Sequence, residues 1–183
     1  MKQYFIRYKP FLFFLAKFFL TYIVLTLIYQ GYLNSVDEGK VDSVTILVAN
    51  NTKQVLELFG QDVAIEENVS DAYIKLIYHK KYVARMIEGC NAISIIILFI
   101  SFVVSFSGKL KQTLLFIFGG ILIIYVLNVI RIAALCVSLY FFPQHEAILH
   151  GVLFPLFIYG VVFILWVIWV NKFSLYAKNT VRT

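Results

Sequence analysis

Apolar residues in this chain fall into four long runs, separated by short stretches that carry the charge. The first runs from about Phe11 to Tyr32 and is interrupted only by Lys17. The second covers Ala92 to Phe106, the third Thr113 to Phe142 and the fourth His150 to Val170. A helix needs ~20 apolar residues to cross a ~30 Å hydrocarbon core. The second run is short, so it must start at the membrane edge, at Cys90. The third is too long, since thirty residues at ~1.5 Å each give ~45 Å. Counted outward from its inner edge, Asn128 lies at ~21–23 Å and Arg131 at ~26–27 Å. The helix is thus expected to reach the outer boundary near Arg131. Beyond it, Ile132 to Phe142 projects, bends along the interface or re-enters the bilayer.

The one sizeable polar region is Asn34 to Glu88, which holds nine of the ten acidic residues. Within it Val44, Leu47, Val48, Val55, Leu58 and Phe59 recur at helical spacing. This predicts a helix over 43–59, with Ser43 as N-cap and Gly60 as the stop, suited to lying on a membrane surface. Ala72 to Ile87 is rich in Tyr, Ile and Val around His79-Lys80-Lys81 and predicts a short hairpin. Asn50-Asn51-Thr52 and Asn68-Val69-Ser70 fit the glycosylation pattern, which is too short to be specific. Pro143 to Leu149 reads as a loop.

Composition makes lipid the solvent. The 183 residues are 61% hydrophobic and 14% charged, against ~45–50% and ~25% in soluble domains. The net charge of +6 does not point to nucleic acid, because the cations flank the apolar runs. Lys2, Arg7 and Lys9 precede the first, Lys109 and Lys111 follow the second, and Lys172, Lys178 and Arg182 close the chain. The positive-inside rule then puts both termini in the cytoplasm. Lys17 reads as a snorkelling anchor. The expected fold is an all-α integral membrane protein of about four spans with one small extracytoplasmic α/β-like region. Its divisions are a cytoplasmic N-terminus at 1–10, a first span and uncleaved signal anchor at 11–32, and the extracytoplasmic region at 33–89. A second span follows at 90–107, a cytoplasmic turn at 108–112 and a third span with its extension at 113–142. The outer loop is 143–149, the last span 150–171 and the cytoplasmic tail 172–183.

Three polar residues share one predicted depth: Cys90, Arg131 and His150. Each has a plain reading. A free cysteine in a membrane protein is usually inert packing, an arginine snorkels to headgroups, and a histidine heads a span at the interface. Together they are the parts of a cysteine-nucleophile site. A thiolate is favoured by nearby cations and by a helix N-terminus, and Cys90 precedes a span. Gly89 would loosen its turn. A charge within a span costs at least ~2.5–3.5 kcal/mol near the centre, so Arg131 calls for a partner. Asn128 lies three residues earlier on the same face; it orients Arg131, donates to a substrate carbonyl or serves as helix–helix glue. His145 competes with His150, but Gln144 and Glu146 make its surroundings solvated. Cys136 is ~140° around the helix from Arg131 and packs against lipid or a helix. Two cysteines allow one bridge between them, but they are too few for a disulfide scaffold. No zinc-ligand spacing is present.

Glu88-Gly89-Cys90-Asn91, then Asn128-x-x-Arg131-Ile132, then His150 heading a last apolar run, resembles the exosortase/archaeosortase family over roughly 87–169. The pattern IEGCNAISIIILFISF…YVLNVIRIAAL…HGVLFPLFIYG is similar to the exosortase F branch of Bacteroidetes. The resemblance implies a membrane-embedded cysteine transpeptidase or protease, with Cys90 as nucleophile, Arg131 stabilising thiolate and oxyanion, and His150 as general acid and base. It makes Asn128, Glu88, Gly89 and Asn91 the supporting residues. Many relatives read E-G-C-N/S-G, and Ala92 stands here in place of that glycine. The implied substrate is a membrane-anchored protein whose C-terminus carries a short motif, a transmembrane helix and a basic cluster. The acceptor is water, a lipid or a glycan. No cofactor, metal or nucleic acid is implied. The expected location is the bacterial inner membrane, multi-pass, with the site at the periplasmic face. The rival reading is a non-catalytic assembly or transport subunit.

Overall fold

The computed structural model describes residues 2–37, 39–68, 71–106 and 108–174, and side chains from Tyr8 onward. The side chains of Lys2 and Arg7, the turn residue Ser107, the pattern residues Val69 and Ser70, and the basic tail with Lys178 and Arg182 lie outside the described residues.

The longest apolar runs become the longest helices. Helix α1 is Lys2–Leu33, α2 Ser43–Leu58, α3 Ile93–Ser105, and α4 Leu110–Phe141. Three helical stretches, Tyr8–Leu33, Leu110–Phe141 and Pro143–Phe173, are long and apolar enough to cross a membrane. Helix α3 is a shorter apolar helix of 13 residues. At ~1.5 Å per residue it rises only ~20 Å.

The residues 143–149, expected as a loop, are wound instead. A 3₁₀ turn at Pro143–His145 leads into α5 (Glu146–Ile148), a π-helical turn at Leu149–Leu153, α6 (Phe154–Ile168) and a second π-helical turn at Trp169–Phe173. Pro143 sits at the first position of this helix, where its missing N–H costs nothing.

Helix α4 serves two cores at once. Its first half joins a bundle with α3 and α6, where Phe99, Val103, Ile124, Ile158, Val162 and Trp169 are buried together. Gly120 lets the helices meet closely: a Cβ there would collide with the ring of Phe99. In lipid, where apolar contact alone does not drive association, such small residues permit the packing that does. Helix α1 runs along α3, with Phe14 against Phe102 and Phe106 at ring separations of 6.1 and 4.6 Å. Lys17 is half-buried, its ammonium 4.9 Å above the Phe13 ring.

The second half of α4 is the spine of a separate cap. Val129, Ile132, Ala133 and Cys136 pack with Val48, Ala49 and Leu56 of α2 and with Ile74, Leu76, Tyr78 and Met86 of a sheet. The segment 132–141 continues α4 as one helix, with the cap packed against it. The sheet has three antiparallel strands in the order β1 (Val63–Asn68), β2 (Tyr73–Tyr78), β3 (Lys81–Met86). The hairpin expected over 72–87 is β2–β3, turning at His79 and Lys80 with positive φ. Strand β1 is an addition, since Glu66 and Glu67 break its apolar alternation.

Helix α2 is capped by Asp42 rather than Ser43. The Asp42 carboxylate accepts from the N–H groups of Val44 and Thr45, at 3.0 Å each, and from the Thr45 hydroxyl at 2.5 Å. It satisfies two of the orphan donors of the first turn and a buried hydroxyl besides. Gly60, at φ +71, follows the last turn. The Asn50-Asn51-Thr52 pattern is inside α2, with Thr52 buried and donating to the Val48 carbonyl at 2.8 Å.

Candidate active site

Cys90 lies where cap and bundle meet. Strand β3 ends at Met86, and Glu88–Cys90 forms one 3₁₀ turn before α3 begins. The turn closes with the Cys90 N–H on the Ile87 carbonyl, at 2.9 Å, and the Asn91 N–H on the Glu88 carbonyl, at 3.2 Å. Gly89 does not supply the unusual backbone angle, and a Cβ at Gly89 would meet nothing within 4 Å. The left-handed residue is Ala92, at φ +68. This is the position where the family resemblance leads one to expect glycine, the residue that adopts positive φ without steric cost.

Hydrogen bonds hold the turn from four helices. The buried amide of Asn128, on α4, donates to the Cys90 carbonyl at 2.8 Å. Asn91, also buried, donates to the Tyr29 hydroxyl of α1 at 2.8 Å and to the Thr45 hydroxyl of α2 at 3.2 Å. Its own carbonyl oxygen accepts the Ile93 N–H at 3.0 Å, capping α3. Thr45 passes the chain on to the buried Asp42. Buried polar groups are satisfied in this way wherever the fold needs them fixed.

Arg131, one turn beyond Asn128, interacts electrostatically with the Cys90 thiol and the Tyr159 phenol of α6. Two polar atoms remain buried without a partner here, Arg131 Nε and Asn128 Oδ1. An unmet buried donor costs ~1–3 kcal/mol, more when charged, so a fold retains one for a reason.

Cys90, Asn91, Asn128 and Arg131 come together. His150 is exposed on the π-helical turn, which packs against α4, and its side chain makes no hydrogen bond or ion pair among the described residues. His145 is exposed too, its ring 6.2 Å from that of Phe142. Glu88 and Gly89 are exposed. Glu88 lines a small cavity of about 130 Å³ with Asp37, Lys40 and Asp42. There the Lys40 ammonium donates to Asp37 at 2.6 Å, which holds the Asp37 carboxyl below its usual range and pushes the Lys40 ammonium up. Cys136 is a free thiol in the cap core. The sequence pattern did not single out Tyr29, Thr45 or Tyr159. Only Thr45 left a trace, in the Asp42-x-x-Thr45 spacing of a helix cap.

These features define a helical membrane protein with a cysteine–arginine pair at the junction of its bundle and its cap. The family model of the transmembrane exosortases matches residues 8–171, and the chain belongs to that family. The family is one of cysteine-type transpeptidases, so the chain is of an enzyme class. Searches of curated proteins and of solved structures gave no match.

Proposed function

We propose that the protein is a cysteine transpeptidase or protease that cleaves the C-terminal sorting signal of exported, membrane-anchored proteins at the outer face of the bacterial inner membrane. Its sequence pattern resembles the exosortase F branch. In this reading α3 is a fourth, short span, both termini are cytoplasmic and the cap is periplasmic.

Cys90 attacks the scissile carbonyl as thiolate, and a carbon–sulfur bond forms. The carbonyl electrons move to oxygen, and the developing oxyanion is met by Arg131. The carbon–nitrogen bond then breaks. His150 gives the departing amine its proton, leaving a thioester on Cys90. Water, a lipid or a glycan next attacks the thioester, losing its proton to His150 and freeing the thiolate. Asn128 holds the Cys90 carbonyl so that the sulfur keeps its bearing toward Arg131. The π-helical turn that carries His150 suits a residue that moves, because such turns interrupt the regular ladder and recur at functional sites.

The observation that supports this most is the unpaired Arg131 Nε beside Cys90. A half-buried cation with a buried, unused donor and an electrostatic coupling to a thiol is poised for an oxygen that the protein itself does not provide. The test is Cys90→Ala in the native host, followed by mass spectrometry of exported proteins that carry a C-terminal span and basic cluster. These should remain full length, while Cys136→Ala processes them normally. Unchanged processing in the Cys90 variant would favour a non-catalytic membrane subunit.

A further inference from the structure

The sheet of the cap has two outer strands that are not equivalent. Helix α2 packs against β1, whereas the far half of α4 packs against β2 and β3. Strand β3 hydrogen-bonds only to β2, and among the described residues no backbone bond leaves its other edge. Unmet strand edges invite another chain, and proteins normally blunt or cover them. A groove of about 440 Å³ runs along this edge. Its floor is the consecutive residues Lys81 to Arg85, and its far wall is Leu139, Pro143 and Glu146. Five strand residues at ~3.3 Å each make a track ~16 Å long, and the volume falls within the ~300–1,000 Å³ of ligand sites.

Charge separates the two edges further. Strand β1 carries Glu66 and Glu67. Strand β3 carries Lys81 and Arg85, neither of which forms an ion pair among the described residues; Lys81 rests 5.8 Å above the Tyr140 ring. The register places them on opposite faces of the sheet, Lys81 opposite Tyr78 and Arg85 opposite Lys75. A chain lying along β3 would pass between the two cations, with Glu146 the one carboxylate across from them. The track also leads to the nucleophile, since β3 ends at Met86 and the Cys90 turn starts at Glu88.

We propose that the free edge of β3 is a docking strand for an extended, anionic segment of the substrate polypeptide, lying just ahead of the bond that Cys90 attacks. This rests on the reading of the protein as a protease of membrane-anchored tails. Such a tail runs toward the membrane before its own helix begins, as β3 runs toward the Cys90 turn, so the two pair in parallel. Main-chain bonds supply the grip, and the flanking cations select the charge.

The test uses the full chain in lipid nanodiscs with a photo-crosslinking benzoylphenylalanine at Tyr82. The probe is an acetylated Glu-Thr-Val-Glu-Thr-Val peptide. It should crosslink at that position, and its binding should weaken about tenfold in Lys81→Glu/Arg85→Glu at low salt. The same peptide N-methylated at alternate amides should lose the crosslink, because methylation removes main-chain donors and leaves every side chain in place. Equal crosslinking of the methylated peptide would overturn the proposal, with no variant that needs to fold. So would equal labelling from a probe at Leu122, on the lipid-facing side of α4. Cys90→Ala should bind the peptide as the unmodified protein does. If it does, yet the host still processes its tails, the docking strand stands and the catalytic reading falls; intact peptide binding after methylation, with tail processing abolished in Cys90→Ala, separates the two the other way.

Discussion

Bundle and cap share one helix but are held together by different forces. In the bundle the side chains are mostly apolar on every face, and lipid solvates the outer faces as readily as a neighbour would. Specificity there comes from shape, as with Gly120 against Phe99 and Gly108 against Trp169. In the cap the pattern is amphipathic. Helix α2 buries Val48, Ala49, Thr52 and Leu56 and leaves Leu58 and Phe59 bare, and β2 alternates half-buried and buried residues along its length. Ordinary hydrophobic burial drives that assembly. The difference shows why polar residues collect at the seam: neither a lipid-solvated bundle nor a water-solvated core would hold Asn128, Arg131 and Asn91 alone, but at the boundary the Asn91 and Asn128 amides find partners, and only Arg131 Nε and Asn128 Oδ1 are left buried without one.

The contrast can be broken by substitution. The largest effect is expected from Met86→Ala, which empties a site only 1% exposed in the cap and should cost about 2–5 kcal/mol. Hydrogen exchange should then rise in β2, β3 and α2 while α3 and α6 stay protected; matched loss of protection in the bundle would show the two regions to be a single cooperative unit. Next comes Gly120→Ala, whose new methyl meets a buried ring and should cost about 1–3 kcal/mol. Gly119→Ala, with nothing within 4 Å, should melt as the parent does, and Phe99→Leu should relieve the Gly120→Ala variant. Asn128→Leu tests the seam. It deletes the bond to the Cys90 carbonyl and should lower stability by about 1–3 kcal/mol, with faster alkylation of Cys90 as the turn loosens.

Ala92→Gly should act in the opposite sense. Relief of the left-handed alanine should raise stability by about 1 kcal/mol, read as a higher melting temperature. The smallest effect is expected at the connection between the regions, the exposed Asp37–Lys40 pair. The Asp37 carboxyl is depressed in the folded protein, so its contribution is present at neutral pH and disappears as pH falls below ~4, through the folded value. The small melting difference between the parent and Asp37→Asn should close over that acid range. A gap that persisted would mean that the pair does not form.

Much of this was readable in the chain because lipid imposes length. The run at 113–142 became α4 within three residues, and the run at 11–32 lies inside α1, which starts nine residues earlier. The hairpin at 72–87 was legible from Tyr, Ile and Val gathered around a turn, and the Cys90, Asn128 and Arg131 motifs carried the family resemblance. What escaped was set by tertiary contact. The surplus length of α4 was visible, but its fate was decided by a cap folded from distant residues. Strand β1 was hidden because Glu66 and Glu67 face outward. Asp42 outcompeted Ser43 because its carboxylate also reaches the Thr45 hydroxyl. The π-helical turn at 149–153 has no local signature, so the winding of the segment that carries His150 could not be read from the chain. Ala92 gave no sign of its positive φ, since alanine normally avoids it.

Helix α4 is one uninterrupted rod of 32 residues, ~48 Å from end to end. The turn bearing Cys90 is bonded to it at Asn128, eighteen residues, or ~27 Å, from the Leu110 end. The height of the Cys90 sulfur is thus gauged by a rigid ruler rather than by flexible loops. In the function proposed above, a cell that lengthens or shortens its fatty acids would raise or sink the surrounding headgroups past a fixed mark, so the adaptation of its lipids to temperature would alter which bond of a tethered tail comes level with the thiol.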